Sequence, residues 1–188
     1  MADSGTTPLT DGCALTTDPL AFERAFRIRR AVPADAEGVV RIWETIAAER
    51  VYSAVDKPWS VEQERAFLAG LSAREAMHVA EAADGEIVGF QSLDLWSSLL
   101  GSMAHVAQLG TFLAPEWRRR GVGRALFSAT REFAMGAGFR KLVIQVRGSN
   151  ASAQSYYLRM GFAPCGRLSR QVLIDGVEDD EILMELFL

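Results

Sequence analysis

Residues 113–124 carry the sequence Leu-Ala-Pro-Glu-Trp-Arg-Arg-Arg-Gly-Val-Gly-Arg, between an apolar run and a helical pattern. Four of these residues are arginine, no acidic residue follows Glu116, and glycines stand at 121 and 123. A helix that begins here leaves backbone N–H groups unpaired and carries a partial positive charge, so phosphate oxygens can bind to it directly. Glycine lets an anion approach the backbone and adopts positive φ without steric cost. The segment therefore predicts a pyrophosphate site where a strand turns into a helix.

Two better-known phosphate loops do not match this segment. A Walker loop requires Gly-Lys-Ser or Gly-Lys-Thr, whereas Gly123 is followed by Arg124 and Ala125. A dinucleotide-binding loop requires a third small residue at position 126, which is leucine. The pattern Arg118-x-x-Gly121-x-Gly123 remains, and its alternative interpretation is an ordinary basic turn ahead of a surface helix.

The length and composition fit one globular domain preceded by a short leader. The chain has 188 residues, of which 49% are hydrophobic and 23% charged, and this is enough to bury an adequate core. Residues 1–25 mix Thr, Asp, Gly and Pro without periodicity, which predicts a flexible N-terminal leader. The folded domain is expected over residues 26–188.

The charge and the cysteine content restrict the partners and the compartment. A formal net charge of -4 argues against general binding to nucleic acid or to an anionic membrane. Cys13 and Cys165 cannot make a disulfide framework, and no Cys and His set has zinc-ligand spacing, so no metal is expected. No stretch resembles a signal peptide or a membrane span. We expect a cytoplasmic protein, and the sequence leaves a homodimer open.

Hydrophobic periodicity and turn residues predict alternating strands and helices. The clearest signal is Asp84-Gly85, a turn between strands at Met77–Ala83 and Ile87–Phe90. Ser60 and Gln63 form a capping box ahead of a short helix. The other predicted elements are strands at Phe26–Ala31, Ala104–Leu113 and Lys141–Val146, helices at 33–50 and 122–136, and two strands within 167–188, of which 182–188 is largely buried.

Gly110 lies inside the strand predicted over Ala104–Leu113. A glycine within a strand commonly marks a bulge or a close approach of another backbone. A bulged strand would expose main-chain N–H and C=O groups with which an extended ligand could pair. The alternative is that Gly110 only relieves the twist of the strand.

A second group of residues follows the strand at Lys141–Val146. Asn150 can cap a helix whose one face carries Ala153 and Tyr157, so that an amide, a small residue and a phenol align. Gly161-Phe162 then supplies a glycine at the helix end and its hydrophobic contact.

Together, Arg118-x-x-Gly121-x-Gly123 and Asn150-x-x-Ala153-x-x-x-Tyr157-x-x-x-Gly161-Phe162 resemble the two signatures of the GNAT superfamily of acyl-CoA-dependent N-acetyltransferases. The resemblance covers residues 26–188. It implies an α/β (α+β) fold, a twisted mixed sheet of about seven strands flanked by helices. In that fold the fourth and fifth strands splay apart and hold acyl-CoA between them.

The resemblance also implies residue roles toward acetyl-CoA as co-substrate. Residues 118–124 would hold the pyrophosphate mainly through backbone N–H groups, with arginine side chains on the phosphates, although Arg119 or Arg120 could instead be only solvated. Phe112 and Leu113 would pair with the pantetheine arm, Asn150 would donate to it, and Ala153 would leave room for it. The cofactor set is Phe112, Leu113, Arg118, Arg119, Arg120, Gly121, Val122, Gly123, Arg124, Asn150, Ala153 and Tyr157.

Tyr157 resembles the general acid of the family, which protonates the leaving thiolate. The alternative, that Tyr157 is a core aromatic, is weakened because the neighbouring Tyr156 could fill that role. The base is not evident, because many relatives carry glutamate near the position of Gln108, and glutamine cannot accept a proton at neutral pH. The candidates are His105, Glu49 and Glu44 acting through water, or no dedicated base at all.

By the same resemblance, the acceptor site would be shaped by Glu49, Tyr52, Asp56, Trp59 and Trp96. Carboxylates beside aromatic rings suit a cationic amine, although ordinary surface and core roles remain an alternative. The predicted function is acetyl transfer from acetyl-CoA to a primary amine of a small molecule or a protein. The alternatives are a catalytically silent CoA-binding module and a transferase that uses another acyl-CoA.

Overall fold

The computed structural model describes residues 26–188, so the predicted leader, residues 1–25, lies outside the described part of the chain. These residues form a single sheet with helices on both faces. The strands are β1 (Phe26–Arg30), β2 (Ala76–Ala82), β3 (Ile87–Leu95), β4 (Val106–Leu113), β5 (Lys141–Arg147), β6 (Ala163–Ile174) and β7 (Val177–Phe187).

Four α-helices flank the sheet: α1 (Ala36–Glu49), α2 (Val61–Gly70), α3 (Val122–Gly136) and α4 (Ala151–Arg159). The capping box predicted for α2 is present, since the Ser60 hydroxyl accepts from Gln63 N and the Gln63 side chain accepts from Ser60 N. Asn150 caps α4 by accepting from Ala153 N at 3.0 Å. Within residues 26–188, none of the helices combines the length and the apolar character that a membrane crossing requires.

The seven strands are ordered β1-β2-β3-β4-β5-β7-β6, and β4 with β5 is the one parallel pair among them. That pairing covers only Val106–Lys141, Ala107–Leu142 and Gln108–Val143. Beyond Gln108, β4 continues beside β3 and β5 continues beside β7. The predicted mixed sheet with splayed fourth and fifth strands is therefore confirmed.

The two faces of the sheet carry separate cores because side chains alternate along each strand. On one face, Val79 and Phe90 pack against Val39 and Ile42 of α1 and against α2. On the other face, the strands pack against α3 and α4; its core includes Leu93, Leu109, Leu126, Phe127, Leu142, Ile144, Tyr157 and Met184. A ligand that enters the gap between β4 and β5 can therefore meet groups from both faces.

Two local predictions are wrong. The register of β3 and β4 runs without a shift through Ser92 and Gly110, so Gly110 makes no bulge. A Cβ at Gly110 would instead lie 2.9 Å from the Phe112 ring and 3.2 Å from the Ser92 hydroxyl, so the glycine accommodates these neighbours. The C-terminal end, expected to be largely buried, is mostly half-buried, and Phe187 is 68% exposed.

Arg147, at the end of β5, forms a buried ion pair with β7 and a hydrogen bond to the residue that follows α1. Arg147 donates through Nε to Asp179 at 2.8 Å and through Nη1 to the carbonyl of Arg50 at 2.6 Å. The side chains of Arg147 and Asp179 are only 7% and 12% exposed. These contacts of Arg147 hold the segment that follows α1 against β5, at the edge of the gap between β4 and β5.

Replacing Asp179 by alanine should lower the free energy of unfolding by about 3 kcal/mol, because Arg147 would stay buried without a counter-charge. Urea unfolding followed by circular dichroism measures this value. The matched control in the same strand is Glu178→Ala, whose carboxylate is exposed and should change stability by less than about 0.5 kcal/mol. Equal losses for the two variants would contradict the role given to the buried pair.

Candidate active site

The divergence of β4 and β5 opens a cleft of about 1520 Å³. One end is bordered by the loop before α3, and the other by the segment after α1 and by residues of α2 and β3. Main-chain groups of β4 that would face a neighbouring strand beyond Gln108 have no partner in β5. Unpaired backbone N–H and C=O groups are costly when buried, so an extended ligand in this cleft would satisfy them.

The start of α3 is built to bind an anion. Gly121 stands at its N-cap with φ +84°, a left-handed conformation that favours glycine, and no side chain caps the helix. Among the described residues, the N–H groups of residues 119–124 donate to no backbone carbonyl. Because α3 is 15 residues long, its dipole adds positive potential at this end. The arrangement fits a pyrophosphate, whose oxygens accept from free N–H groups.

Most of the side chains predicted to bind the cofactor line the cleft. These are Phe112, Leu113, Arg118, Arg119, Gly121, Gly123, Arg124, Asn150, Ala153 and Tyr157. The side chains of Arg120 and Val122 do not. The Arg120 guanidinium lies 5.5 Å from the centre of the Trp117 ring, and Val122 is fully buried in the core beneath the helix. These two residues can contribute their backbone N–H groups only.

The Arg118 side chain is already engaged within the protein. Its guanidinium forms a two-pronged ion pair with Glu49 at the end of α1 and donates to the carbonyl of Leu113 at 3.3 Å. It also lies 4.5 Å from the centre of the Tyr52 ring. The guanidinium therefore joins the loop before α3 to the segment after α1, and the predicted phosphate contact of this side chain would require Glu49 to be released.

Both the oxygen and the nitrogen of the Asn150 side-chain amide form hydrogen bonds within the protein. The oxygen caps α4, and the nitrogen donates to the carbonyl of Tyr52 at 3.1 Å. The residue is buried at the edge of the cleft. It therefore holds the segment after α1 in place, while its second amide hydrogen stays free for the predicted bond to a ligand.

Tyr157 lies at the base of the cleft and is 5% exposed. Its hydroxyl donates to Thr111 Oγ1 of β4 at 2.8 Å, and the Gln91 side chain donates to the same oxygen at 2.6 Å. Burial raises the pKa of Tyr157 to about 12, so the phenol keeps its proton at neutral pH. Tyr156 donates instead to the carbonyl of Gly123, at 2.7 Å, and supports the start of α3.

The end of the cleft beyond Tyr157 is aromatic and acidic. Trp43, Phe90 and Phe112 form one aromatic cluster, with the Trp43 and Phe112 ring centres 4.1 Å apart. Of the side chains predicted for the acceptor site, Tyr52, Asp56, Trp59 and Trp96 line this end. Glu49 does not line it, and contacts it only through Arg118.

The three predicted base residues are not placed for that role. His105 is exposed just before β4, at the end where β4 and β5 are still paired, and does not line the cleft. Glu44 is exposed on α1 and also lies outside the cleft. Glu49 is held by Arg118. Gln108 itself lines the cleft, as its strand position predicts.

Two carboxylic acids in the cleft were missed by the sequence analysis. Glu64 of α2 is 1% exposed, and Asp94 of β3 is half-buried. Burial raises the pKa of Glu64 to about 7 and that of Asp94 to about 6. The signal for Asp94 was the alternation of β3, which puts this acid on the same face as Phe90. For Glu64 no comparable signal exists, because the α2 sequence also suits a solvated helix.

The fold and the cleft define a class of protein, namely enzymes that bind a nucleotide cofactor between splayed strands and transfer a group from it. The Acetyltransferase (GNAT) family matches residues 40–162, more than half of the chain. The chain therefore belongs to the GNAT family of acetyltransferases. It transfers an acetyl group from acetyl-CoA, its co-substrate, to an amine.

Curated relatives and solved structures agree with this assignment. The chain is 32% identical over 144 residues to an aminoglycoside N(6')-acetyltransferase type 1 of Stenotrophomonas maltophilia, a match that covers 75% of the chain and 88% of the relative. It is 24% identical over 143 residues to the L-methionine sulfoximine/L-methionine sulfone acetyltransferase of Pseudomonas aeruginosa, covering 75% and 82%. A GNAT superfamily phosphinothricin acetyltransferase of Sinorhizobium meliloti, solved with acetyl-CoA, has the same fold, with a TM-score of 0.80, 21% identity and coverage of 87% and 89%.

The engagement of Glu49 by Arg118 makes a testable distinction between a base and a structural residue. Glu49→Gln should leave the pH dependence of kcat unchanged and lower the free energy of unfolding by about 1 kcal/mol, because it weakens a half-buried ion pair. Initial rates across pH and urea unfolding measure both quantities. Glu44→Gln, on the same helix but exposed, should change neither. A pH dependence of kcat in Glu49→Gln that differs from that of the wild type would show that Glu49 is the base after all.

Proposed function

We propose that this enzyme acetylates a small amine that carries more than one positive charge. The observation that carries the proposal is that the free N–H groups before α3 and an acidic, aromatic pocket open onto the same cleft. A cofactor bound at the first would place its thioester near Tyr157, between the anion site and the acidic end. The acceptor amine would then reach the thioester from the acidic end and attack it directly.

The cofactor would be held largely by backbone groups. The N–H groups of residues 119–124 would donate to the pyrophosphate, and the exposed guanidinium groups of Arg119 and Arg124 would pair with the remaining phosphate charge. Leu113 lies on β4 beyond its last pair with β5 and its N–H points into the gap, so this group is available to the pantetheine arm, whereas the main-chain groups of Phe112 face its partner Phe90 on β3. Ala153 presents only a methyl group to the cleft and would leave room for that arm.

Tyr157 would act as the acid. Its hydroxyl holds its proton at neutral pH and already donates to an oxygen at the edge of β4, the Thr111 hydroxyl. As negative charge develops on the leaving sulfur, that donor can turn from Thr111 to the sulfur. A phenol is a weak acid toward a thiolate, so the contribution of Tyr157 is a shared hydrogen bond that becomes stronger in the transition state.

The charge around the acceptor end favours a polycationic amine over an amino-acid analogue. Four acids line the cleft there: Asp56, Glu64, Glu75 and Asp94. Among the described residues that line the cleft near them, Arg118 is paired with Glu49 and Arg147 with Asp179, and Lys57 follows Asp56 in the chain. The four acids outnumber this one lysine, and the ammonium groups of a substrate can pair with carboxylates and with aromatic faces. Among the relatives, the aminoglycoside acetyltransferase has the acceptor that fits this pattern.

The space beside β4 supports acetyl as the transferred group. The Phe112 ring and the Ser92 hydroxyl already crowd the position where Gly110 would carry a Cβ, at 2.9 and 3.2 Å. If the acyl group is bound beside Gly110, a chain longer than acetyl would have to displace these side chains. The silent-module alternative has no comparable support, since the relatives are named as acetyltransferases.

Location and assembly remain proposals drawn from the sequence. A cytoplasmic location agrees with the need for acetyl-CoA and with the exposed free thiol of Cys165. With a net charge of -4, the protein is proposed to bind neither nucleic acid nor an anionic membrane. A homodimer stays an untested prediction.

An acceptor screen tests the proposed class. With acetyl-CoA and a thiol-release assay, kanamycin and spermidine should give kcat/KM values at least tenfold above those of phosphinothricin and L-methionine sulfoximine, because only the first two carry several ammonium groups. Mass spectrometry of the products confirms the acetylated amine. A preference for the two amino-acid analogues would contradict the assignment of the acidic pocket. Thiol release with none of the four would count against small polycations as the class.

The anion site can be tested at Gly121. Replacing it with alanine puts a side chain on a residue at φ +84°, a strained conformation that should shift the loop presenting the free N–H groups, so the affinity for acetyl-CoA should fall about tenfold, the effect of roughly 1.4 kcal/mol. Isothermal titration calorimetry measures this. Gly136→Ala, at the other end of α3, adds a methyl group with no atom within 4 Å and should leave the affinity unchanged. Equal affinity in both variants would contradict the proposed pyrophosphate site.

A further inference from the structure

Gln108 of β4 carries no acidic group into the cleft, but an acid lies directly across from it. Asp94 of β3 and Gln108 of β4 are register partners in an antiparallel pair. Side chains of such partners stand on the same face of the sheet, with Cβ atoms about 5 Å apart. Both residues line the cleft. Asp94 therefore brings a carboxyl group close to the place that Gln108 leaves without one.

Asp94 and Glu64 are unusual in the fold because part of each carboxyl group is buried without a partner. Asp94 Oδ1 and Glu64 Oε1 are both inaccessible to water, and neither accepts a hydrogen bond from the described residues. The Glu64 side chain is 1% exposed, so no solvent compensates for the missing bond. A buried acceptor left unpaired costs stability, and such groups are retained where they serve a ligand or a reaction.

The charged groups around Asp94 are acids. Glu75, which precedes β2, raises the pKa of Asp94 further by repulsion, after burial, while a hydrogen bond from Ser92 opposes the shift. Glu64 feels the charge of Asp94 and receives a hydrogen bond from Trp43. Among residues 26–188, none of the ion pairs involves Asp94, Glu64 or Glu75. With a pKa of about 6, Asp94 is mostly ionised at neutral pH, whereas Glu64 titrates there.

We propose that Asp94 is the catalytic base, which takes the proton from the acceptor ammonium. This inference rests on the proposed function, since it requires an amine in the acidic end of the cleft. Glu64 lines the same pocket from α2 and is partly protonated at neutral pH, where Asp94 is mostly ionised.

The proposed base and the proposed acid stand on opposite faces of the sheet. Asp94 and Gln108 stand on the face covered by α1 and α2, and Thr111 with Tyr157 on the face covered by α3 and α4. Asp94 takes one proton from the ammonium, and the nitrogen lone pair then forms a bond to the acetyl carbon. The carbon–sulfur bond breaks with its electron pair on sulfur. Tyr157 protonates that sulfur and regains a proton from the nitrogen, so an amide, a free thiol and one proton on Asp94 result.

The test uses ethylamine and trifluoroethylamine as acceptors at high concentration, because the second is mostly neutral at neutral pH and needs no base to remove a proton. Asp94→Asn should reduce kcat for ethylamine about 100-fold, the usual contribution of a general base, and reduce it far less for trifluoroethylamine. Wild-type kcat should rise with pH through about 6, where Asp94 ionises, and this rise should vanish in Asp94→Asn. Calorimetry should find the acetyl-CoA affinity of the variant unchanged.

Two further variants separate a base from a residue that merely supports the fold. Glu75→Gln keeps an oxygen for the bond from Leu95 N and removes a negative charge, so the rise of kcat should move to lower pH. Adding Gln108→Glu to Asp94→Asn should restore at least a tenth of the lost rate. Carbon-13 NMR of the carboxyl groups should show a resonance that titrates near 6 in the wild type and is missing in Asp94→Asn.

The outcomes distinguish this inference from the proposed function. Equal losses for the two amines, or a raised KM with unchanged kcat and an unchanged rise with pH, would overturn Asp94 as the base while leaving acetyl transfer intact. In that case the carboxylate would only bind the substrate cation. If the wild type acetylates neither these two amines nor those of the acceptor screen, the proposed function itself fails. The NMR titration then still reports whether Asp94 has the ionisation that a base requires.

Discussion

The structure depends on a parallel strand pairing that stops after three residue pairs. β4 and β5 are joined only from Val106 to Gln108 on one strand and from Lys141 to Val143 on the other. Each strand is held on its other side over its remaining length, β4 by β3 and β5 by β7. The strands therefore stay extended while they separate, and the main-chain groups that face the gap are left for a ligand. Without this separation there would be neither a cleft nor an approach to Tyr157.

The separation also exposes both faces of one sheet to the same ligand. Side chains of opposite faces alternate along β4, so Gln108 and Thr111 approach the cleft from different sides. The sheet thus separates an acidic, aromatic side covered by α1 and α2 from a side that carries Tyr157. This division suits a reaction in which one proton leaves an amine and another reaches a thiolate, because the two groups can have different environments within a short distance.

Motifs that depend on local backbone conformation could be predicted from the sequence. Contacts between side chains that are distant in the sequence could not. The glycine at the start of α3 and the Asn150 cap follow from local chemistry, so the start of α3 and the helix α4 could be predicted. Arg118 shows the limit: a guanidinium beside a phosphate loop suggests a phosphate contact, whereas the fold brings Glu49 to it from 69 residues away. Asp94 was missed for a related reason, because only the register of β3 and β4 reveals that it faces Gln108. The exposure of Phe187 at the end of β7 also depends on how the strands pack, which the local sequence does not reveal.

Hydrogen exchange of the backbone amides reports directly on whether the free N–H groups at the start of α3 receive the pyrophosphate. Exchange should be followed by NMR for residues 119–124, with and without acetyl-CoA. We expect these amides to exchange rapidly in the free protein and to become protected when acetyl-CoA binds. Binding of acetyl-CoA with no added protection of these amides, or with protection confined to another part of the chain, would contradict a pyrophosphate site at the start of α3.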